Sequence, residues 1–166
     1  MYTLDDLPLE KWSERYNVNI LAMQEYYDSL CKHIGYVRQF GNKLGVTYNI
    51  LYVHDFSKFT KKEFPFYADR FYGRKIRDEK FISALNHHYA CNMHHSEYWM
   101  SPNGVVHPMP RQSILEMIAD WQAASWQYTQ SEDMQEWLDK NLSSKKFHES
   151  SRQFLYATLC ELGYKI

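Results

Sequence analysis

Six of the chain's eight histidines fall between His33 and His95. The densest string is Asn86-His-His-Tyr-Ala-Cys-Asn-Met-His-His-Ser-Glu-Tyr-Trp99, in which two His-His pairs stand seven residues apart. Before it comes His54-Asp-Phe-Ser-Lys58, and outside both lie His33 and Asp120. A divalent ion needs nitrogen and oxygen donors converging from several elements. Imidazole and carboxylate without thiolate suit iron, manganese, magnesium or zinc at a catalytic centre rather than a structural one. Taken singly, each residue has a plainer reading. His54-Asp55 alone is an aspartate N-cap beside an exposed histidine, His33 a hydrogen-bonded core histidine, and Asp120 the partner of a distant basic side chain.

Phasing decides against taking them singly. At ~100° per helical residue, with His33 as zero, Leu30 lies near 60°, Val37 near 40°, Tyr26 near 20° and Phe40 near −20°. His33 thus sits inside an apolar arc, where an imidazole needs a hydrogen bond or a metal. Asp120 is at the edge of another apolar face, with Met117 near 60° and Ala124 near 40°. A buried carboxylate costs several kcal/mol unless paired or metal-bound. Seven residues return a helical side chain to within ~20°. On an unbroken helix His88 and His95 therefore share the face of Phe81, Leu85 and Trp99, while His87 and His94 share another with Cys91. The apolar neighbours make His88 and His95 the expected ligands. His87 and His94 are further candidates, since a helix break at Asn92 would turn His94 inward. Together His33, His54, Asp55, His88, His95 and Asp120 supply enough donors for one or two divalent ions.

The elements that must position these residues read as helices. Thr3-Leu-Asp-Asp6 opens with a capping pattern. Apolar residues recur at helical spacing from about 19 to 43, with Gly45 as a stop. A short apolar piece, 48–54, leads into Asp55. Residues 61–72 read as a helix that starts late, near Phe64, because of Pro65. Helices follow at about 78–95, 110–128, 131–142 and 146–162, and residues 100–110 form a loop rich in proline. No segment alternates with period two. The expected fold is all-α, a compact bundle of six to eight helices. It forms a single domain over 1–166, with the metal-site core at about 20–125 and C-terminal helices 131–162 packing on it.

Composition bounds the rest. With 166 residues there is one domain's worth of chain. Apolar residues at 45% and charged residues at 23% are ordinary for a globular protein. The net charge of −1 gives no strong nucleic-acid signal. No apolar run approaches a membrane span, and no signal peptide is visible. Cys31, Cys91 and Cys160 are odd in number and widely spaced, which argues against a disulfide framework and for a reducing, cytoplasmic setting. Aromatics reach 17%, which fits a bulky core with tyrosine hydroxyls at its rim.

The order His33, then His54-Asp55, then further histidines, then Asp120, on a helical chain, resembles the HD-domain superfamily over roughly residues 20–125. His54-Asp-Phe-Ser-Lys58 looks like its HDxxK signature, and His94-His95 followed by Glu97 is similar to the second histidine motif of its two-metal members. The resemblance implies an HD-like helical bundle with His33, His54, Asp55 and Asp120 as core ligands. A second ion would fall to His88 and His95 or their neighbours. The chain departs from the family in spacing its extra histidines only seven residues apart. It also lacks a GYP motif after His95, so specificity for cyclic-di-GMP is not expected.

Most proteins of this pattern are phosphohydrolases, so the expected activity is metal-dependent hydrolysis of a nucleotide or another small phosphorylated substrate. Asp55 and Lys58 are the expected catalytic residues, with Lys58 placed to reach a phosphate. Residues 58–80 carry a local balance of +4, and Lys58, Lys62 and Arg74 are the expected substrate-binding cations, steering an anion toward the site. The same ligand list also serves a second class, diiron HD proteins that use dioxygen to cleave C–C or C–P bonds.

Overall fold

Apolar residues at three- and four-residue spacing build the longest helix, and they point its buried stripe inward. Met23, Tyr26, Leu30, Ile34, Val37 and Phe40 are all at most 5% exposed. They lie on one face of α2, Ile20–Lys43. Asn19 accepts from the Leu21 amide at 2.8 Å at its start. Gly45, at φ +76°, turns the chain out of it, in a conformation that favours glycine.

The computed structural model describes residues 3–131 and 133–166. Among them the other helices are α1 (Leu9–Tyr16), α3 (Tyr48–Val53), α4 (Phe64–Phe71), α5 (Glu79–Cys91), α6 (Arg111–Thr129), α7 (Gln135–Asn141) and α8 (Glu149–Glu161). Short 3-10 turns at Leu4–Asp6, Phe56–Phe59, Ser96–Trp99 and Leu142–Ser144 link them. The only β pairing among the described residues is an isolated bridge between Met100 and Val106. The protein is all-α, as its periodicity predicts. No described helix is long and apolar enough to cross a membrane.

One helix and one helix end depart most from the sequence expectation, while α7 and α8 start three to four residues later than expected. The helix at 9–16 is absent from the sequence expectation; it is eight residues long, carries Leu9, Trp12 and Tyr16 at helical spacing, and buries only Leu9. The helix expected at about 78–95 ends at Cys91, where Asn92 turns extended at φ −120°, ψ 111°. Its start is as expected: the Asp78 side chain accepts from the Phe81 amide at 2.9 Å. Such a cap contributes about 1 kcal/mol.

The fold divides into two compact units. The first holds the residues through Lys32 together with Asp55–Asn92, and the second holds His33–His54 together with Met93–Ile166. The core of the first is aromatic. Phe64 meets Tyr26 edge-on with centroids 5.0 Å apart, and Tyr67 meets Phe81 in the same way at 5.2 Å. The second unit has two apolar clusters. One gathers Val37, Phe40, Val46 and Leu51 with Ala119 and Ala123 of α6. The other packs Ile114, Met117 and Ile118 with Leu155 and Leu159 of α8. The C-terminal helix therefore rests on α6, the helix that carries Asp120.

Candidate metal centre

In the second unit three donors converge. His33 is on α2, Asp120 on α6, and His54 directly after α3. Their ligand atoms all lie within 4.8 Å of one another. His33 Nε2 is 2.8 Å from Asp120 Oδ1, and His54 Nε2 is 3.7 Å from the same oxygen. Metal bonds of ~2.0–2.2 Å place neighbouring donors ~3 Å apart at a right angle and further apart at wider angles. These spacings and these donor types could hold a metal ion. His33 is 9% exposed and His54 1%.

The charge of Asp120 is supported. Burial pushes its carboxyl up, but the hydrogen bond from His33 and the nearby rings of His54 and His94 outweigh burial and hold it well below the usual range.

Behind His54 stands Glu116, four residues before Asp120 on α6. Its Oε1 is 2.9 Å from His54 Nδ1 and 3.3 Å from His94 Nδ1. The carboxylate fixes the imidazole through Nδ1, so Nε2 is the nitrogen turned toward His33 and Asp120. Burial raises the Glu116 carboxyl, yet the bonds from His54 and His94 prevail and lower it. His94 is 2% exposed, and its ring lies tilted against that of His54 with centroids 4.4 Å apart. His95, half-buried, lies 4.3 Å from the His94 ring.

The end of α5 at Cys91 removes the premise that His88 and His95 share a helical face. His94 follows the break and turns inward beside Glu116.

The first unit holds a second set. Asp55 follows His54 at a sharp bend: α3 ends at Val53, His54 leaves the helical region at φ −50° and ψ 127°, and Asp55 is left-handed at φ 60° and ψ 16°. A regular helix would point the two side chains ~100° apart; the bend releases them from that constraint. Asp55 is fully buried. Its Oδ2 accepts from Lys58 Nζ at 2.7 Å, and its Oδ1 is 3.4 Å from His88 Nε2. His88 Nδ1 is 3.0 Å from Glu63 Oε2. Burial lowers the His88 pKa and the Lys58 charge adds to this, so the ring is neutral and suited to donate a lone pair. The Ser57 hydroxyl donates to Glu63 at 3.1 Å and accepts from Asn92 Nδ2 at 2.8 Å.

Glu63 and Glu116 escape sequence reading. Both are buried, and each backs two histidines: Glu63 Oε1 is also 2.6 Å from His87 Nδ1. Burial raises Glu63, but the bonds from His88, His87 and Ser57 hold it below its ordinary value. The one available signal for Glu116 is its helical phase, ~40° from Asp120. For Glu63 it is a carboxylate just before a helix with Pro65 in its first turn.

Of the basic residues, Lys58 faces Asp55 and Lys62 is exposed. Arg74 is taken up by Asp69 and Asp78. Its Nε donates to Asp69 Oδ2 at 2.8 Å, and its Nη2 also bonds Asp69 and reaches Asp78 at 3.2 Å.

A family model described as a family of unknown function, DUF5662, matches residues 22–161. No curated protein and no solved structure matches the chain.

Proposed function

We propose that this chain, which belongs to the DUF5662 family, is a metal-dependent phosphohydrolase of the HD type acting on a nucleotide or another small phosphorylated substrate. The observation that carries the reading is the convergence of His33, His54 and Asp120 donors within 4.8 Å of one another. The HDxxK resemblance of His54–Lys58 adds Asp55 as a ligand. Asp55 and His88, backed by Glu63, are the donors for a second ion.

When bound, a divalent ion lowers the pKa of its water and neutralises charge on phosphoryl oxygens. The side chains do the rest. Glu116 holds His54 by Nδ1 and sets its tautomer, and Glu63 does the same for His88. Lys58, fixed by Asp55, offers a cation at the HD bend for a phosphate oxygen. Arg74 is engaged by Asp69 and takes no part in substrate binding in this scheme. Exposed Lys62 steers anions from solution.

The test is metal analysis of protein purified without added metal, followed by a panel of phosphorylated substrates. One or two metal equivalents and metal-dependent phosphate release are expected. Absence of metal after such purification and after reconstitution would overturn the reading. Two iron atoms with a visible chromophore and no phosphate release would favour the oxygen-dependent alternative.

A further inference from the structure

On α5, His87 and Cys91 are four residues apart, the spacing that brings side chains together on one helical face. Cys91 Sγ lies 3.7 Å from His87 Nε2 and 3.8 Å from Nδ1. Metal–sulfur bonds of ~2.3 Å and metal–nitrogen bonds of ~2.0–2.1 Å, at a tetrahedral angle, place S and N ~3.6 Å apart. The helix thus already holds the pair at chelating distance.

The third member comes from the start of α4. Glu63 Oε1 is 2.6 Å from His87 Nδ1. This carboxylate holds the ring by Nδ1, and of the two nitrogens near sulfur it leaves Nε2 open to a metal, the arrangement found behind metal-ligating histidines. Ligand atoms of Glu63, His87 and Cys91 all lie within 4.8 Å of one another. Their exposure is graded: Glu63 is fully buried, the His87 side chain is 26% exposed, and Cys91 is exposed.

We propose that Glu63, His87 and Cys91 form a separate cation site of the zinc class, chelated by Cys91 Sγ and His87 Nε2. Sulfur separates it chemically from the nitrogen and oxygen donors of the proposed catalytic centre. Thiolate selects zinc or cobalt over magnesium and manganese. As the metal–sulfur bond forms, the thiol proton leaves to solvent. The exposed side of the site leaves the remaining coordination positions to water, so the ion loads directly from solution. Glu63 Oε2 meanwhile holds His88, so one carboxylate serves both sites.

Titration of the metal-stripped full chain with Co²⁺ alone tests this. A sulfur-to-cobalt charge-transfer band in the near ultraviolet is expected in the wild-type protein. Cys91→Ser should abolish it, and His87→Ala should weaken cobalt binding at this band by tenfold or more. Cys91 is on the surface, and an unchanged helical circular dichroism spectrum would show that the Ser variant folds. His54→Ala should keep the band while losing the visible cobalt absorption of the nitrogen and oxygen centre, so failure of one site is told apart from failure of the other. No band in the wild type, or a band that survives Cys91→Ser and so comes from Cys31 or Cys160, would overturn the proposal. Loss of the band in a folded His54→Ala variant would overturn the separateness of the two sites.

Discussion

Glu116 Oε1 stands 2.9 Å from His54 Nδ1, and this contact decides which face of the imidazole meets Asp120. Glu116→Gln keeps the size and an acceptor oxygen but removes the charge. Metal affinity should fall about 10–100-fold, the usual effect of losing a carboxylate behind a ligating histidine. Titration against a competing chelator measures it. Wild-type affinity in the Gln variant would reduce Glu116 to a packing residue.

The proposed function gives Asp120 a role as ligand, to be separated from its observed role as partner of His33. Asp120→Asn preserves shape and should cost one metal equivalent, read by elemental analysis. Full stoichiometry in a folded Asn variant would mean that Asp120 serves only His33.

The break at Asn92 reorders the four clustered histidines. His88→Ala should lose metal and activity, and it leaves Glu63 buried with one partner fewer, at about 1–3 kcal/mol of stability. His94→Ala should act likewise through Glu116. His95→Ala, at a half-buried position, should be milder. Stoichiometry and denaturation midpoints across these variants check the order; a larger loss at His95 than at His94 contradicts it.

Lys58 is held by Asp55 and offers its charge at the HD bend. Lys58→Ala should lower kcat/KM on a phosphorylated substrate about tenfold, or ~1.4 kcal/mol, with metal content unchanged. Steady-state kinetics with parallel metal analysis provide the measurement. Unaltered kinetics would make the Lys58–Asp55 pair purely structural.

Away from the metal donors, Asp69 carries a pH signature. Burial pushes its carboxyl up, but hydrogen bonds and charge from Arg74 outweigh burial and hold it below its ordinary value. Its folded pKa is therefore below its unfolded one. The stabilisation is complete above the unfolded value of ~4 and is lost as pH falls through the folded value. Asp69→Asn should cost stability at neutral pH, by about 1 kcal/mol or less because solvent screens the half-exposed Arg74, and should lose less stability than wild type on acidification. Urea unfolding at pH 7 and pH 3 compares the two; equal losses on acidification would remove Asp69 from the account.

How much of this was legible beforehand depends on how local the signal is. His33 and Asp120 stood out because a polar group interrupts an apolar stripe, which helical phase exposes without knowledge of the partner. The helix over 20–43 and the late start at Phe64 follow from stripe and proline chemistry in the same way. Glu63 and Glu116 were hidden because their partners lie far off in sequence: His54 is 62 positions from Glu116 and His88 is 25 from Glu63. A lone carboxylate on a helix usually faces water, and only tertiary contact says otherwise. The sequence offers the end of α5 at Asn92 only as an alternative, because Asn92 carries two opposed tendencies. It can continue a helix at modest cost or stop it with its side chain. Here Asn92 Nδ2 donates to the His88 carbonyl at 2.7 Å, which favours the stop.

Asp55 is one of four described non-glycine residues at positive φ, and that narrows what substitution can report there. Aspartate and asparagine tolerate this left-handed region far better than alanine does. An alanine scan would therefore confound two losses at position 55, carboxylate and backbone. Asparagine isolates the first, since it keeps the bend and discards the charge. Glycine isolates the second, since it keeps the bend with no side chain at all. In a library selected only for folding, position 55 should accept asparagine and glycine and reject β-branched residues. In one selected for catalysis it should narrow to aspartate alone. The difference between the two libraries would measure how much of the HD bend exists for shape and how much for chemistry.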